Sequence, residues 1–280
     1  MRKLLLGLIG AGIQGSAAPA LHEGEARQHG LRLHYQLIDL GTPQAALAAL
    51  PGLIAAARQI GFAGLNITYP CKQAVMPLLD ELSEEARAIG AVNTVVNRNG
   101  RLIGHNTDGS GWRWGFRRAL PQAKLDRVVL LGAGGAGSAV AHAVMQLGAG
   151  SLAILDTLPA RAEALAAGLN KTHGKKASAA KDVAAALARA DGLIQATPVG
   201  MQKQPGMPLP HELLRPQLWV SEIVYVPLET ELVKAARRTG CAVMDGGHMN
   251  VGQACRAFEL FTGEPADWQR MDAHFRRLAA

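Results

Sequence analysis

The sequence is poor in residues that mark several classes of protein. Among its 280 residues it has three cysteines and 4% aromatic residues. Cys71, Cys241 and Cys255 are odd in number and lack the spacing of metal ligands, so we expect reduced thiols in a cytoplasmic protein rather than disulfides, a zinc site or a catalytic thiol. No apolar run reaches the roughly 18 residues of a membrane-spanning helix, and the N-terminus soon becomes glycine-rich and polar. Secretion and membrane partners are therefore not expected.

Clusters of positive charge are also absent, although the net charge is +7. No run of Lys and Arg exceeds two residues, and aromatic side chains for stacking on bases are scarce. We therefore expect no nucleic-acid partner, and the positive charge favours small anionic molecules. The length exceeds that of one typical domain, which predicts two domains.

A glycine-rich stretch in the middle of the chain predicts a strand, a tight turn and a helix. Val128 to Leu131 is apolar and reads as a buried parallel strand, and the alanine-rich run from Ser138 to Leu147 continues as a helix. Between them, Gly132, Gly134 and Gly137 have G-x-G-x-x-G spacing. In this pattern the glycines allow the turn, the approach of a pyrophosphate and close packing of helix on strand. The predicted cofactor-binding residues of this loop are Gly132, Gly134, Gly135, Ala136 and Gly137.

An acidic residue is expected at the end of the next strand, and Asp156 follows Leu152 to Leu155 there. A carboxylate at this position suits the two ribose hydroxyls of NAD and repels the 2′-phosphate of NADP. Thr157 and Leu158 supply no cation for a phosphate, and Arg161 is the nearest one. The cofactor predicted is NAD, with Asp156 and Arg161 near its adenosine ribose.

A second copy of the spacing, Gly10, Gly12 and Gly15, comes after the apolar Leu4 to Ile9. The pattern alone leaves open which copy binds a dinucleotide. A helix beginning near Gly12 would place Pro19 about two turns inside, at a cost of roughly 3 kcal/mol. We therefore predict that the first copy is a strand and loop with another task, and that Pro19 lies in the first turn of the next helix.

The remaining pattern alternates strands and helices, so the fold class predicted is α/β. Helices are expected over Thr42 to Arg58, Gln73 to Leu82, Asp108 to Gln122 and Thr230 to Thr239, a hairpin over Ala91 to Ile103, and a loop over Asp245 to Gly247 that continues to His248.

Polar side chains come after several of these strands and form the candidate site for chemistry. Oxidising a secondary alcohol requires a hydride acceptor, a group that takes the hydroxyl proton and polar contacts for the other substituents. Lys72 and Asp108 are suited to the proton transfer as a pair, although a random Lys and Asp more often form a surface ion pair. The polar residues around them that favour a binding site are Asn66, Thr68, Asn93 and Asn106.

Several segments together resemble the shikimate and quinate dehydrogenases. They are Ser16 with Pro19, Asn66 to Lys72, Gly90 to Thr94, Asn106 to Asp108, Gly132 to Gly137, Ala196 to Met201, Tyr225 to Pro227 and Gln253 with Ala254. They occur in the family's order over nearly the whole chain. The resemblance implies an N-terminal domain that binds a cyclohexene or cyclohexane carboxylate, a Rossmann domain that binds the nicotinamide cofactor, and a cleft between them. Asp156-Thr157 resembles the NAD-using branch, because the NADP-using branch usually has Asn-Arg-Thr there.

The resemblance also implies roles for individual residues. Substrate would be bound by Ser16, Thr68, Asn93, Tyr225 and Gln253, and the nicotinamide cofactor additionally by Thr197, Pro198 and Met201. The family usually has a second Ser or Thr where this chain has Ala18, which removes one hydroxyl from the substrate pocket. His248 is not typical of the family and is expected to be a loop histidine, with contact to substrate or cofactor as the alternative.

Together these observations predict an NAD-dependent dehydrogenase that interconverts shikimate, quinate or a close analogue with the 3-dehydro ketone. The predicted substrate domain is 1–107, completed by 248–280, and the predicted Rossmann domain is 108–247. The expected partner is the small-molecule acid, and the protein is expected to be a monomer or homodimer. The alternatives are a methylenetetrahydrofolate dehydrogenase, for which the first domain lacks stacking aromatics, and a non-catalytic dinucleotide sensor.

Overall fold

The computed structural model describes residues 2–279, which divide into two compact units. The first unit comprises residues 2–107 and Gln253–Leu278, and the second comprises Asp108–Gly252. The second boundary therefore lies at Gly252 instead of 247. The reason is local packing: a Cβ on Gly252 would lie 2.5 Å from the carbonyl oxygen of Gly111, so this residue belongs to the second unit.

The first unit is a mixed α/β layer structure. Its strands are β1 (Lys3–Gly10), β2 (Arg32–Asp39), β3 (Gly64–Ile67), β4 (Glu81–Leu82), β5 (Thr94–Arg98) and β6 (Arg101–His105). Its helices are α1 (Ala18–Gln28), α2 (Pro43–Ile60), α3 (Cys71–Ala74) and α4 (Glu84–Ile89), joined by the end of α10 (Gly246–Thr262) and by α11 (Trp268–Ala279). The sheet order is β2-β1-β3-β5-β6-β4.

Local sequence signals explain the first helices. Pro19 lies in the first turn of α1 as predicted, since the missing N–H costs nothing there. Helix α2 begins after Thr42, whose hydroxyl accepts the N–H of Ala45, and ends at Gly61 in the left-handed conformation.

The helix expected over Gln73 to Leu82 is wrong. The helical backbone ends at Ala74, a single 3-10 turn covers Met76–Leu78, and Glu81–Leu82 forms strand β4 beside β6. Asp80 explains the change, because its N–H donates to the carbonyl of Leu102 and its carboxylate accepts the N–H of Leu102 at 2.7 Å. These bonds hold the chain against the sheet before a second helical turn forms.

The strand directions bring several polar segments to one edge of this sheet. Strands β1, β2 and β3 are parallel, so their carboxyl ends share an edge. Strand β5 runs antiparallel to β3 and to β6, so the start of β5 and the end of β6 lie at that edge as well. The edge therefore holds Ala11, Thr68 and Asn106, which follow β1, β3 and β6, and Asn93, which precedes β5.

The second unit is a parallel six-stranded sheet with helices packed on both of its faces. Its strands are β7 (Arg127–Leu131), β8 (Ser151–Leu155), β9 (Ala177–Ala179), β10 (Gly192–Gln195), β11 (Trp219–Glu222) and β12 (Ala242–Met244). Its helices are α5 (Asp108–Ala119), α6 (Gly135–Gln146), α7 (Pro159–His173), α8 (Val183–Leu187), α9 (Glu231–Thr239) and the start of α10.

The strand order β12-β11-β10-β7-β8-β9 is that of a Rossmann fold. The α/β class with two domains is thus confirmed. The order reverses between β7 and β10, and ligands of such sheets bind outside the carboxyl ends of the strands at that point.

Helix α10 begins earlier than the sequence predicted. Gly246 and His248 are helical, so the expectation of a loop histidine is wrong. Asp245 accepts the N–H of Gly247 at 3.1 Å, which starts the helix directly after β12. Among residues 2–279, no helix combines the length and the apolar character that crossing a bilayer requires.

Candidate functional site

The glycine loop after β7 has the backbone conformation that its spacing predicts. Gly132 has φ of +96°, and a Cβ there would lie 2.7 Å from the carbonyl oxygen of Ala196. A Cβ on Gly137 would overlap the carbonyl oxygen of Gly132. At Gly134 a Cβ would meet no atom within 4 Å, so this glycine borders open space. Two glycines are thus required by packing, and the middle one leaves room for a ligand to approach the backbone.

The N-terminus of α6 is suited to an anion. Helix α6 begins at Gly135 after Gly134, which has no side chain to cap it, and no acidic residue lies in the first turn. The first N–H groups of a helix lack partners within it and carry the positive end of its dipole. Gly135, Ala136 and Gly137 therefore offer N–H groups that fit the pyrophosphate of a dinucleotide.

Asp156, directly after β8, accepts two backbone hydrogen bonds, one from the glycine loop and one from its own turn. Its Oδ2 accepts the N–H of Ala133 at 2.7 Å, and its Oδ1 accepts the N–H of Leu158 at 2.9 Å. The carboxylate is therefore fixed beside the glycine turn, where ribose hydroxyls would meet its remaining lone pairs. Arg161 lies in the first turn of α7 and is exposed.

The first glycine copy leads into a different backbone conformation. The helix after it starts only at Ala18, whereas α6 starts within its own motif. Asp39 already accepts the N–H groups of Gly12 at 2.8 Å and Ile13 at 3.0 Å. Backbone hydrogen bonds, chiefly from Gly41, lower the pKa of Asp39. A fixed carboxylate thus takes the N–H groups that a phosphate would need.

The loop after β10 is organised by Gln195, which sequence reasoning missed. This side chain is fully buried, donates to the hydroxyl of Thr197 at 2.8 Å and to the carbonyl of Val199 at 2.7 Å, and accepts the N–H of Thr197 at 3.1 Å. Pro198 accepts the N–H of Met201, whose side chain is exposed. A polar residue inside the apolar run Gly192 to Ala196 was the only available signal.

In the first unit, Asn66 and Asn93 build a buried polar network. The amide of Asn66 accepts the hydroxyl of Tyr35 at 2.7 Å and donates to the hydroxyl of Thr94 at 3.1 Å and to the carbonyl of Asn93 at 3.2 Å. Asn93 Oδ1 accepts the N–H of Thr107 at 2.8 Å, and its Nδ2 donates to the hydroxyl of Thr107 at 3.0 Å. Both amide protons of Asn66 are used internally, so Asn66 supports the site and does not bind a ligand with them.

Lys72 and Thr68 lie on the loop after β3. Thr68 donates its N–H to Ile9 and accepts the N–H of Cys71, which starts α3. The carbonyl of Lys72 accepts the N–H of Val92 at 2.8 Å, so Lys72 lies beside the start of β5. Asn106, after β6, donates its amide to the carbonyl of Ala91 at 3.0 Å. The sheet edge thus brings together the loops of Lys72, Asn93 and Asn106.

Ser16 and Gln253 complete the predicted residues of the first unit. The hydroxyl of Ser16 accepts the N–H of Ala18 at 3.2 Å, so it stabilises the start of α1 while its proton points elsewhere. Gln253 lies within α10, at the point where this helix enters the first unit.

Asp108 and Tyr225 belong to the second unit. Asp108 is buried and opens α5, where the helix dipole favours a carboxylate. Tyr225 lies after β11, and the pKa of its phenol is raised because the surrounding protein desolvates it and because the charge of Asp108 disfavours the phenolate. The two side chains are therefore close enough to interact.

His248 pairs with Asp245 on the first turn of α10. Its Nδ1 lies 3.0 Å from Asp245 Oδ1, and Arg237 lies 3.8 Å from the other carboxylate oxygen. A carboxylate on one ring nitrogen fixes the orientation of the imidazole.

Comparison with known proteins agrees with this geometry. A family model described as the shikimate dehydrogenase substrate binding domain matches residues 8–95. A shikimate dehydrogenase (NADP(+)) of Streptomyces avermitilis is 55% identical over 98% of this chain and 96% of its own length. The chain belongs to the shikimate and quinate dehydrogenase family. A quinate/shikimate dehydrogenase (NAD(+)) of Corynebacterium efficiens is 47% identical over 98% of both chains.

A solved member of the family has the same fold. The quinate dehydrogenase from Corynebacterium glutamicum in complex with NAD aligns with a TM-score of 0.93 and 46% identity, over 99% of this chain and all of that one. This chain is similar both to family members named for NADP and to members named for NAD. The comparisons therefore support a nicotinamide dinucleotide as cofactor without deciding between NAD and NADP. Membership also favours a dehydrogenase over methylenetetrahydrofolate chemistry and over a non-catalytic sensor.

Proposed function

We propose that this protein is an NAD-dependent dehydrogenase that interconverts shikimate or quinate with its 3-dehydro ketone. The observation that carries the cofactor preference is the Asp156 carboxylate, which backbone N–H groups hold at 2.7 and 2.9 Å beside the glycine loop. A carboxylate held there accepts ribose hydroxyls and repels a 2′-phosphate. The 55% identical relative named for NADP makes this preference the first property to measure.

The cofactor-binding residues proposed are Gly132, Gly134, Gly135, Ala136, Gly137, Asp156, Arg161, Thr197, Pro198 and Met201. Support comes from the topology, because the loops after β7 and β10 border the point where the strand order reverses. Bound NAD supplies the acceptor for the hydride that leaves the ring carbon. The protein's part is to hold the ribose, the pyrophosphate and the nicotinamide in fixed positions.

The substrate-binding residues proposed are Ser16, Thr68, Asn93, Tyr225 and Gln253. Ser16 keeps its hydroxyl proton available as a donor, because its oxygen is the acceptor for Ala18. A hydroxyl donor suits the carboxylate of a cyclohexene or cyclohexane acid, and amide and phenol groups suit its ring hydroxyls. The net charge of +7 favours such an anion at long range.

Lys72 and Asp108 are proposed to carry the proton transfer as a coupled pair. Asn93 supports this role, because its side chain binds both the backbone N–H and the hydroxyl of Thr107. Thr107 directly precedes Asp108 in the chain. The bond from Val92 to the Lys72 carbonyl connects Lys72 to the same strand start. In the forward direction the amine of Lys72 accepts the proton of the ring hydroxyl, and the carboxylate of Asp108 stabilises the resulting ammonium ion.

A steady-state assay tests the proposal. Shikimate, quinate and aminoshikimate are each offered with NAD and with NADP, and reduced cofactor is followed by absorbance, with omission of the acid as the blank. We expect turnover of at least one acid, with kcat/KM for NAD more than tenfold above that for NADP. No turnover with any pair would show that the proposed function is wrong. Equal or better use of NADP would show that only the cofactor assignment is wrong.

A further inference from the structure

Two buried polar side chains outside the proposed site lie next to each other at the carboxyl edge of the second sheet. Gln195 ends β10, Glu222 ends β11, and they are paired in the ladder of these parallel strands. Both side chains have 0% exposure. Burying a carboxylate is costly unless hydrogen bonds replace water, so its partners indicate what it is there to hold.

Glu222 binds the loop 223–230 at both ends. Its Oε1 accepts the N–H groups of Ile223 at 2.9 Å and Val224 at 3.0 Å, and its Oε2 accepts the hydroxyl of Thr230 at 2.9 Å. The same hydroxyl of Thr230 accepts the N–H of Val233 and so begins α9. Tyr225 follows Val224 directly and lies between these anchors, so one carboxylate holds both ends of the segment that carries Tyr225.

The loop 223–230 is also joined to the loop 197–201 that Gln195 organises. The N–H of Ile223 is shared between Glu222 Oε1 and the carbonyl of Gln195, which accepts it at 3.0 Å. The N–H of Gln202 donates to the carbonyl of Val226 at 3.4 Å. A Cβ on Gly200 would lie 3.4 Å from Thr230 and 3.8 Å from Glu222 Oε2. The two loops are therefore joined to each other where they leave β10 and β11, at the buried side chains of Gln195 and Glu222.

Burial raises the pKa of Glu222 to about 7, although its backbone and hydroxyl partners act to lower it. The elements around the carboxylate bring few charges. Gln195 and loop 197–201 are neutral, and Asp245 after β12 faces His248 and Arg237. Glu229 of loop 223–230 is exposed and paired with Arg237, and Glu231 and Lys234 of α9 are exposed. When Glu222 takes up a proton, the hydroxyl of Thr230 loses its ionised acceptor. Glu222, which joins the two loops, therefore has an ionised and a protonated form near neutral pH.

We propose that Glu222 is a positioning residue that locks loop 223–230, and with it Tyr225, against loop 197–201. This inference rests on the proposed function, since it takes Tyr225 as a substrate residue and loop 197–201 as part of the nicotinamide site. The ionised form holds all three donors and fixes Tyr225 for the substrate. Protonation, or replacement by an amide, releases Thr230 and weakens substrate binding without touching the glycine loop.

The matched test compares Glu222→Gln with Glu163→Gln, the same change at an exposed position of α7. KM for the preferred acid, kcat and the Kd of NAD are measured from pH 6 to pH 8. We expect Glu222→Gln to raise KM about tenfold at pH 8, with kcat and the Kd of NAD within about threefold of wild type. The wild-type rise of KM between pH 8 and pH 6 should be absent in Glu222→Gln and retained in Glu163→Gln. A wild-type KM and pH profile in Glu222→Gln would overturn the proposal.

A second pair of variants leaves the carboxylate in place. Thr230→Val removes the hydroxyl and should raise KM about tenfold, whereas Thr230→Ser keeps it and should behave as wild type. Equal behaviour of the two variants would overturn the proposal even if Glu222→Gln does not fold.

Hydrogen exchange of the peptide covering 223–230 provides a readout that needs no turnover. At one pH, Glu222→Gln or Thr230→Val should exchange this segment at least tenfold faster than wild type, while Glu163→Gln should not. If wild type oxidises none of the acids, the proposed function is wrong, and unchanged exchange would show separately that Glu222 does not lock the loop.

Discussion

Replacing Asp156 by Asn tests the cofactor preference most directly. The carboxylate receives an N–H group on each oxygen, from Ala133 and from Leu158. Whichever way an amide is turned, its NH₂ group faces one of these donors, so one acceptor is lost. Losing a charge-assisted bond to a ribose hydroxyl costs about 1.5 to 3 kcal/mol of NAD binding. Asp156→Asn also removes the repulsion between the carboxylate and the doubly charged 2′-phosphate of NADP. At a separation of roughly 5 Å in a water-like dielectric, this repulsion is about 1.7 kcal/mol.

At about 1.4 kcal/mol per tenfold change, the ratio of kcat/KM with NAD to kcat/KM with NADP should fall by a factor on the order of 10² to 10³. The assay is the initial rate with each cofactor at saturating acid. Asp191→Asn is the control, because Asp191 also accepts a backbone N–H, that of Arg127 at 2.7 Å, but at the amino end of β7, away from the glycine loop. A ratio that changes less than about threefold in Asp156→Asn, or equally in both variants, would refute the assignment.

Three further predictions concern catalysis, the substrate pocket and the glycine loop. Lys72→Ala and Asp108→Asn should each lower kcat by a factor on the order of 10² to 10⁴, with the Kd of NAD unchanged. Because the two residues work as a pair, the double variant should lose little more kcat than the worse single variant. Additive losses in kcat, or a raised KM alone, would show that Lys72 only holds substrate. Ala18→Ser adds a hydroxyl donor worth about 1.5 to 3 kcal/mol to an anion and should lower KM for shikimate about tenfold or more, so an unchanged or raised KM speaks against a carboxylate site there. Gly137→Ala introduces a Cβ that overlaps the Gly132 carbonyl and should weaken NAD binding more than tenfold in a fluorescence titration. The control is Gly168→Ala in α7, where a Cβ meets nothing within 4 Å. This control should bind NAD normally and gain about 0.5 to 1 kcal/mol of stability in thermal melts.

The fold was largely predictable because its signals are local. The apolar run before Gly132 became β7, Pro19 lies in the first turn of α1, and Thr42 caps α2. Each depends on residues a few positions apart, whose backbone preferences act before any tertiary contact forms. The exceptions had tertiary causes, as at Leu82, where Asp80 binds the backbone of Leu102 and a strand replaces the expected helix.

The sequence alone determined which residue types are available for the chemistry, because glycine spacing, strand ends and the identities of Lys72, Asp108 and Asp156 are written in it. Only the tertiary structure decided how the polar groups are used. Asn66 looked like a ligand residue, yet its amide is satisfied by Tyr35, Asn93 and Thr94. Glu222 is the last residue of β11 and carries no motif, yet it holds a loop through Thr230. A buried hydrogen bond depends on which distant segments the fold brings within about 3 Å, and that distance is set by strand order and register rather than by spacing along the chain.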